Sequence, residues 1–138
     1  LQMQNFERQS PLTAFEALQT QLNSLLIDCR TRAEWVYVGV PVLPGSPQKT
    51  AFIEWVDASG QPNPDFVSSV SQIASTDTPL YLICRSGVRS ALACQLLAES
   101  GFSTIVNIED GFEGDIGPCG NRASINGWKC CNLPWTQG

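Results

Sequence analysis

Cys84, Arg85, Ser86, Gly87, Val88, Arg89 and Ser90 place a potential nucleophile, two permanent cations and a glycine within seven positions. The preceding Pro79-Leu80-Tyr81-Leu82-Ile83 is the strongest strand signal in the chain. Ser90 to Ser100, with Leu92, Leu96 and Leu97 at helical spacing, reads as a helix stopped by Gly101. Cys84 is therefore expected where a buried strand ends and a helix is about to begin. A short loop entering a helix aims successive N–H groups at one point, with the positive helix end behind them. Gly87 permits the backbone turn that this requires. Such a nest stabilises a thiolate, the reactive form of cysteine, and Arg85 and Arg89 add charge beside it. The chemistry this pattern supports is covalent catalysis through Cys84. The plainer reading, a buried strand-end thiol beside two surface arginines, fits the joint pattern less well.

The chain contains no histidine, which excludes Ser-His-Asp and Cys-His catalysis and removes the commonest zinc and copper ligand. Activation must then come from backbone dipoles, charge and position. The six cysteines are Cys29, Cys84, Cys94, Cys119, Cys130 and Cys131. None forms a Cys-x-x-Cys pair, so we expect no metal site.

The elements that must position Cys84 follow from the apolar spacing. Ser10-Pro11 precedes Leu12, Phe15, Leu18 and Leu22, which predicts a serine-capped helix over 10–22. Leu25-Leu26-Ile27-Asp28-Cys29 reads as a buried strand, 39–50 as a loop, and Phe52-Ile53-Glu54-Trp55-Val56 as a second strand. Phe66, Val67, Val70 and Ile73 predict a helix over 65–74, and 104–108 is another strand. From about 111 to 138 the chain has glycine, proline and aromatic residues without periodicity, the composition of an irregular packed tail. Strands alternating with helices imply an α/β fold, a mostly parallel central sheet covered on both faces. The site of such a sheet lies at the carboxyl ends of its strands, where Asp28-Cys29-Arg30 and Cys84-Arg85 fall.

Length and charge bound the remaining possibilities. The 138 residues suit a single domain, and 43% hydrophobic with 15% charged residues suits a globular one. A net charge of −5 argues against nucleic acid or an anionic membrane as a partner. An acidic protein acting on an anion must concentrate positive potential, and two of its eight basic residues lie in the Cys84 loop. No apolar run approaches the roughly 18 residues that span a bilayer, and no signal peptide is recognised. The expectation is a soluble protein of open compartment, cytoplasmic by preference, with the periplasm allowed because the first residue is Leu1 and not Met.

Cys84-Arg85-Ser86-Gly87-Val88-Arg89-Ser90 resembles the active-site signature of the rhodanese family. Leu26-Ile27-Asp28-Cys29-Arg30-Thr31-Arg32-Ala33-Glu34-Trp35 resembles its Asp-x-Arg, Glu-Trp segment. The tail residues Asp110-Gly111-Phe112-Glu113-Gly114-Asp115, Asn126-Gly127-Trp128-Lys129 and Leu133-Pro134-Trp135 look like a bacterial single-domain subgroup. The resemblance covers nearly the whole chain. It implies a three-layer rhodanese-like fold over 1–138 and a cysteine persulfide as the covalent intermediate. One departure is Gly39-Val40-Pro41, where many members have Gly-His-Ile-Pro-Gly.

Loop length separates sulfur from phosphorus chemistry. Cys84 to Arg89 spans Cys-x4-Arg, whereas the related Cdc25-like phosphatases and arsenate reductases have one residue more. A phosphatase would also want a carboxylic acid; Asp28 or Asp115 could be proposed for that, but nothing in the sequence places either. The sequence thus favours a sulfurtransferase of the thiosulfate type, moving sulfane sulfur from thiosulfate or a persulfide donor to cyanide or a thiol through Cys84. A partner protein is an open acceptor, and no cofactor is implied. The alternatives are the phosphatase or arsenate reductase, and a noncatalytic binding or sulfur-carrier module. Amides of 85–89 are expected to hold the anion, with Arg85 and Arg89 attracting the donor. Asp28, Arg30 and Ser90 are supporting residues, an ion pair or cap being favoured for the first two. Glu34 and Trp35 read as packing and capping. Cys29 reads as a small buried hydrophobe before a resolving thiol, and Cys94 as core. A disulfide from Cys119 to Cys130 or Cys131 and three free thiols are equally compatible with the sequence.

Overall fold

The computed structural model describes residues 6–116, 122 and 126–137. Helix α1 (Pro11–Thr20) is capped as expected: the Ser10 hydroxyl accepts the Thr13 N–H, and Pro11 sits where a helix loses nothing by its missing N–H. Strands β2 (Leu25–Asp28), β5 (Leu80–Ile83) and β6 (Ile105–Ile108) fall on the apolar runs. They form the interior of a five-stranded sheet ordered β1-β6-β5-β2-β4, all parallel, with β1 (Glu7–Gln9) and β4 (Thr50–Phe52) on its edges.

The interior strands are apolar at successive positions because both faces are covered. Ile27, Leu80, Leu82, Cys84 and Ile105 pack on one face against Phe66 and Val70 of α3 (Phe66–Ile73) and Ala93, Cys94 and Leu97 of α4 (Val88–Glu99). The alternate residues Leu26, Tyr81, Ile83, Val106 and Ile108 meet α1 through Ala14 and Leu18. Phe112, Trp128 and Leu133 of the tail complete that second face. The result is the three-layer α/β arrangement that the alternation of elements implies.

Several boundaries differ from expectation. The second strand was expected at 52–56 but lies at Thr50–Phe52, because its pairing with β2 begins at Leu26 opposite Thr50. Ile53 and Trp55 still donate to the carbonyls of Asp28 and Cys29, so the expected segment continues the ladder without being the strand itself. The presumed loop 39–50 contains β3 (Val40–Pro41) and a 3-10 turn (Pro47–Lys49). Lys49 reaches from this turn to the carbonyls of Leu18 and Gln21 at 2.5 and 2.6 Å, satisfying the end of α1. β3 pairs antiparallel with β7 (Trp135–Thr136), so the described part of the tail, expected to be irregular, includes a short strand. α4 begins at Val88, two residues earlier than its apolar spacing predicts. Helix α2 (Arg32–Tyr37) and edge strand β1 were not anticipated. The considered disulfide of Cys119 lies outside the described residues.

Among the described residues, no helix is long and apolar enough to cross a membrane, and no cluster of His, Cys, Asp or Glu could hold a metal ion.

Candidate active site

Cys84 is the residue immediately after β5, and its side chain is 1% exposed. Gly87 caps α4 with φ of 100°, a left-handed conformation that turns the chain back over the sulfur. The N–H groups of Gly87 and Ser90 both donate to Cys84 Sγ at 3.2 Å. These donors stand at the start of a 12-residue helix, so the local dipole favours negative charge on the sulfur. The Cys84 thiol in turn lies 3.2 Å from Ser90 Oγ, to which it donates.

Ser90 is itself held. Its hydroxyl donates to Asn107 Oδ1 at 2.5 Å, and Asn107 Nδ2 donates to the Gly87 carbonyl at 3.2 Å. Asn107, on β6, is 4% exposed. Sequence reading missed it, and its one signal was a polar residue inside the apolar run 104–108.

The remaining loop residues separate by environment. Arg85 is exposed, and its side chain makes no hydrogen bond or ion pair among the described residues. Val88 is exposed on the first turn of α4. Arg89, expected to attract the donor, instead forms a two-pronged ion pair with Glu34 at 2.7 and 2.9 Å. Burial works against the Glu34 carboxylate, but Arg89 and the Thr31 backbone outweigh it and hold the carboxyl below its ordinary value. The same contact with Glu34 raises Arg89. Glu34 also closes a capping box with Thr31, so this pair fastens α2 to the start of α4 beside the Cys84 loop.

Asp28 and Arg30 form a buried pair, with Arg30 Nη2 at 2.7 Å from Asp28 Oδ2 and at 2.7 Å from the Gly39 carbonyl. The Arg30 guanidinium lies 4.3 Å from the Phe112 ring centre. Both residues fix the β2 end and the tail together and make no contact with Cys84 Sγ among the described hydrogen bonds. Cys29 is fully buried beside Cys84, its thiol pushed well above its ordinary value first by burial and then by Cys84. Burial likewise pushes Cys94 up. Neither resembles Cys84 in having amides directed at sulfur.

The back of the loop is braced by the segment following β6. Phe112 N–H donates to the Cys84 carbonyl at 2.7 Å, and the N–H groups of Glu113 and Gly114 donate to the Arg85 carbonyl at 2.9 and 3.1 Å. Trp128 and Lys129 donate in turn to the carbonyls of Gly111 and Phe112, tying the tail to the brace. A cleft of about 640 Å³ opens beside the loop, lined by Arg8, Ser86, Gly87, Val88, Asn107 and Asp110 among others.

Comparison with known proteins agrees with this geometry. Residues 12–115 match the Rhodanese-like domain family. The uncharacterized protein RC0915 of Rickettsia conorii is 36% identical over 124 residues, 88% of this chain and 90% of the relative. Rhodanese-like domain-containing protein 4, chloroplastic, of Arabidopsis thaliana is 28% identical over 94% of this chain and 25% of its own length. Among solved structures, Rv0390 from M. tuberculosis superposes with a TM-score of 0.88 at 35% identity, covering 96% of this chain and 98% of that one. The polysulfide-sulfur transferase homodimer from Wolinella succinogenes shares the fold, with a TM-score of 0.66 at 22% identity over 97% and 80% of the two chains. With the family match spanning most of the sheet and the whole Cys84 loop, this chain belongs to the rhodanese-like family.

Proposed function

We propose that this protein is a sulfurtransferase that carries sulfane sulfur on Cys84, taking it from thiosulfate or a persulfide and passing it to cyanide or a thiol. The observation that carries this reading is the convergence of the Gly87 and Ser90 amides on Cys84 Sγ at the start of α4. A noncatalytic docking module has no use for a cysteine held this way.

The reaction has two balanced halves. Cys84 thiolate attacks the outer sulfur of thiosulfate; the new S–S bond forms as the old one breaks, and sulfite leaves with the electron pair. The acceptor anion then attacks the outer sulfur of the persulfide, and Cys84 leaves as thiolate. Neither half needs a general acid, because sulfite and thiolate are stable anions. Of the two carboxylates nominated for a phosphatase acid, Asp28 is paired with Arg30 and Asp115 with Asn126. Arg85, exposed and without a side-chain partner among the described residues, is assigned the attraction of the donor anion.

Mass spectrometry after incubation with thiosulfate tests the reading. The Cys84 peptide should gain one sulfur, and Cys84→Ser should abolish both that gain and thiosulfate:cyanide turnover. Turnover at the wild-type level in Cys84→Ser, or hydrolysis of an aryl phosphate without sulfur gain, would overturn it.

A further inference from the structure

The hydrogen bonds around Ser90 have a direction that bears on Cys84. The side-chain amide of Asn107 has one oxygen and one NH₂ group, and its orientation is decided by its neighbours. Turning it over would set Oδ1 against the Gly87 carbonyl, two acceptors facing one another in a buried site. Oδ1 therefore faces Ser90, and the single hydroxyl proton of Ser90 goes to Asn107 at 2.5 Å. The other acceptor near that hydroxyl, the Gly87 carbonyl at 3.3 Å, is farther away and already receives Asn107 Nδ2. Ser90 Oγ consequently presents its lone pairs to Cys84, which suits an S–H donor and not a sulfur anion.

We propose that Asn107 is a positioning residue that withholds the Ser90 hydroxyl proton from Cys84, making Ser90 a conditional donor to the sulfur. In the resting thiol the chain of donation runs from Cys84 through Ser90 to Asn107. When the sulfur is anionic, the Ser90 hydroxyl must rotate about its Cβ–Oγ bond and give up the 2.5 Å bond to Asn107 in order to donate to Sγ. The Gly87 and Ser90 amides serve the anion in both arrangements. Asn107 thereby moderates a site whose backbone alone would favour the anion, and its own side chain never touches the reacting atom. The proposal rests on Cys84 being the reacting thiol of the proposed sulfurtransferase.

The test is the rate at which Cys84 is alkylated by iodoacetamide at neutral pH, read by peptide mass in the full-length protein. Asn107→Leu removes the acceptor and frees the Ser90 hydroxyl for sulfur, so alkylation should quicken severalfold. Asn107→Asp offers a stronger acceptor of the same size, so alkylation should slow severalfold. Both effects should vanish when Ser90→Ala is added, because the relay is then cut. A purely structural role predicts slowing or no change in both variants, and either result overturns the proposal, as does persistence of the effects without Ser90. Should Asn107→Leu fail to fold, the isosteric Asn107→Asp, with and without Ser90→Ala, decides the matter alone. Thiosulfate loading is followed in parallel: wild-type protein that alkylates as described but gains no sulfur would defeat the transferase reading and leave this one standing.

Discussion

The backbone N–H of Phe112 donates to the carbonyl oxygen of Cys84 at 2.7 Å, so the segment leaving β6 grips the peptide that begins the Cys84 loop. The residue before it has no room for a side chain. A Cβ on Gly111 would overlap the Cys84 carbonyl oxygen and lie 2.7 Å from the Arg85 carbonyl carbon and oxygen, at a φ of 63° that already favours glycine. Gly111→Ala should therefore displace the loop from behind, at a cost on the order of 2–4 kcal/mol in stability. Thermal unfolding and sulfur loading of Cys84 should both fall. Unchanged values for the two would mean that the brace yields without disturbing the loop.

Arg85 and Arg89 are predicted to behave differently although both flank the same cysteine. Arg85→Ala should raise KM for thiosulfate severalfold while leaving stability within about 0.5 kcal/mol, as for an exposed side chain without a partner among the described residues. Added salt should narrow the difference between wild type and variant. Equal KM values at low salt would remove Arg85 from donor recognition.

The Glu34–Arg89 pair gives an acid-dependent contribution to stability. The Glu34 carboxyl is held below its ordinary value of 4.5 in the folded protein. A depressed folded value means that the stabilisation is fully present above the unfolded value and is lost as pH falls through the lower folded one. Glu34→Gln keeps an oxygen for the Thr31 cap but loses the charge, so it should cost about 1 kcal/mol at neutral pH. Denaturation followed against pH should show the two proteins converging in acid. A constant gap down to pH values well below 4.5 would contradict this assignment.

Asp28 and Arg30 should matter to folding before chemistry. Asp28→Ala leaves a fully buried guanidinium without its carboxylate, a loss of about 3–5 kcal/mol. Soluble protein of that variant, if recovered, should unfold at much lower denaturant while retaining sulfur loading in its folded fraction. Full stability with loading abolished would instead make Asp28 a participant in the reaction.

Much of the framework is legible in the sequence because its causes are local. Ser10-Pro11 starts α1 through a cap and a proline at its first position, and neither depends on distant residues. β5 declares itself by four consecutive apolar residues, as any strand covered on both faces must. The same locality would have revealed α2, since Thr31-x-x-Glu34 is a capping-box pattern that closes in the structure. β1 and β7 gave no such signal: three and two residues long, they are strands only because β6 and β3 lie beside them.

The site divides along the same line. Sequence alone determined that Cys84 ends a strand, that Gly87 turns the chain, and that a helix start lies behind the thiol, because these follow from spacing over seven residues. Which side chains then serve the sulfur was decided by tertiary structure. Arg89 is adjacent in sequence yet is turned to Glu34, 55 residues away, since that carboxylate is fixed by its own cap. Asn107 reaches Ser90 because the parallel register sets β6 beside β5, opposite Leu82. Gly111 braces Cys84 because the chain leaving β6 folds back across the strand end. Local spacing fixes where a nucleophile can sit, whereas the partners that orient it come from strands and tails brought together only when the two faces of the sheet are buried.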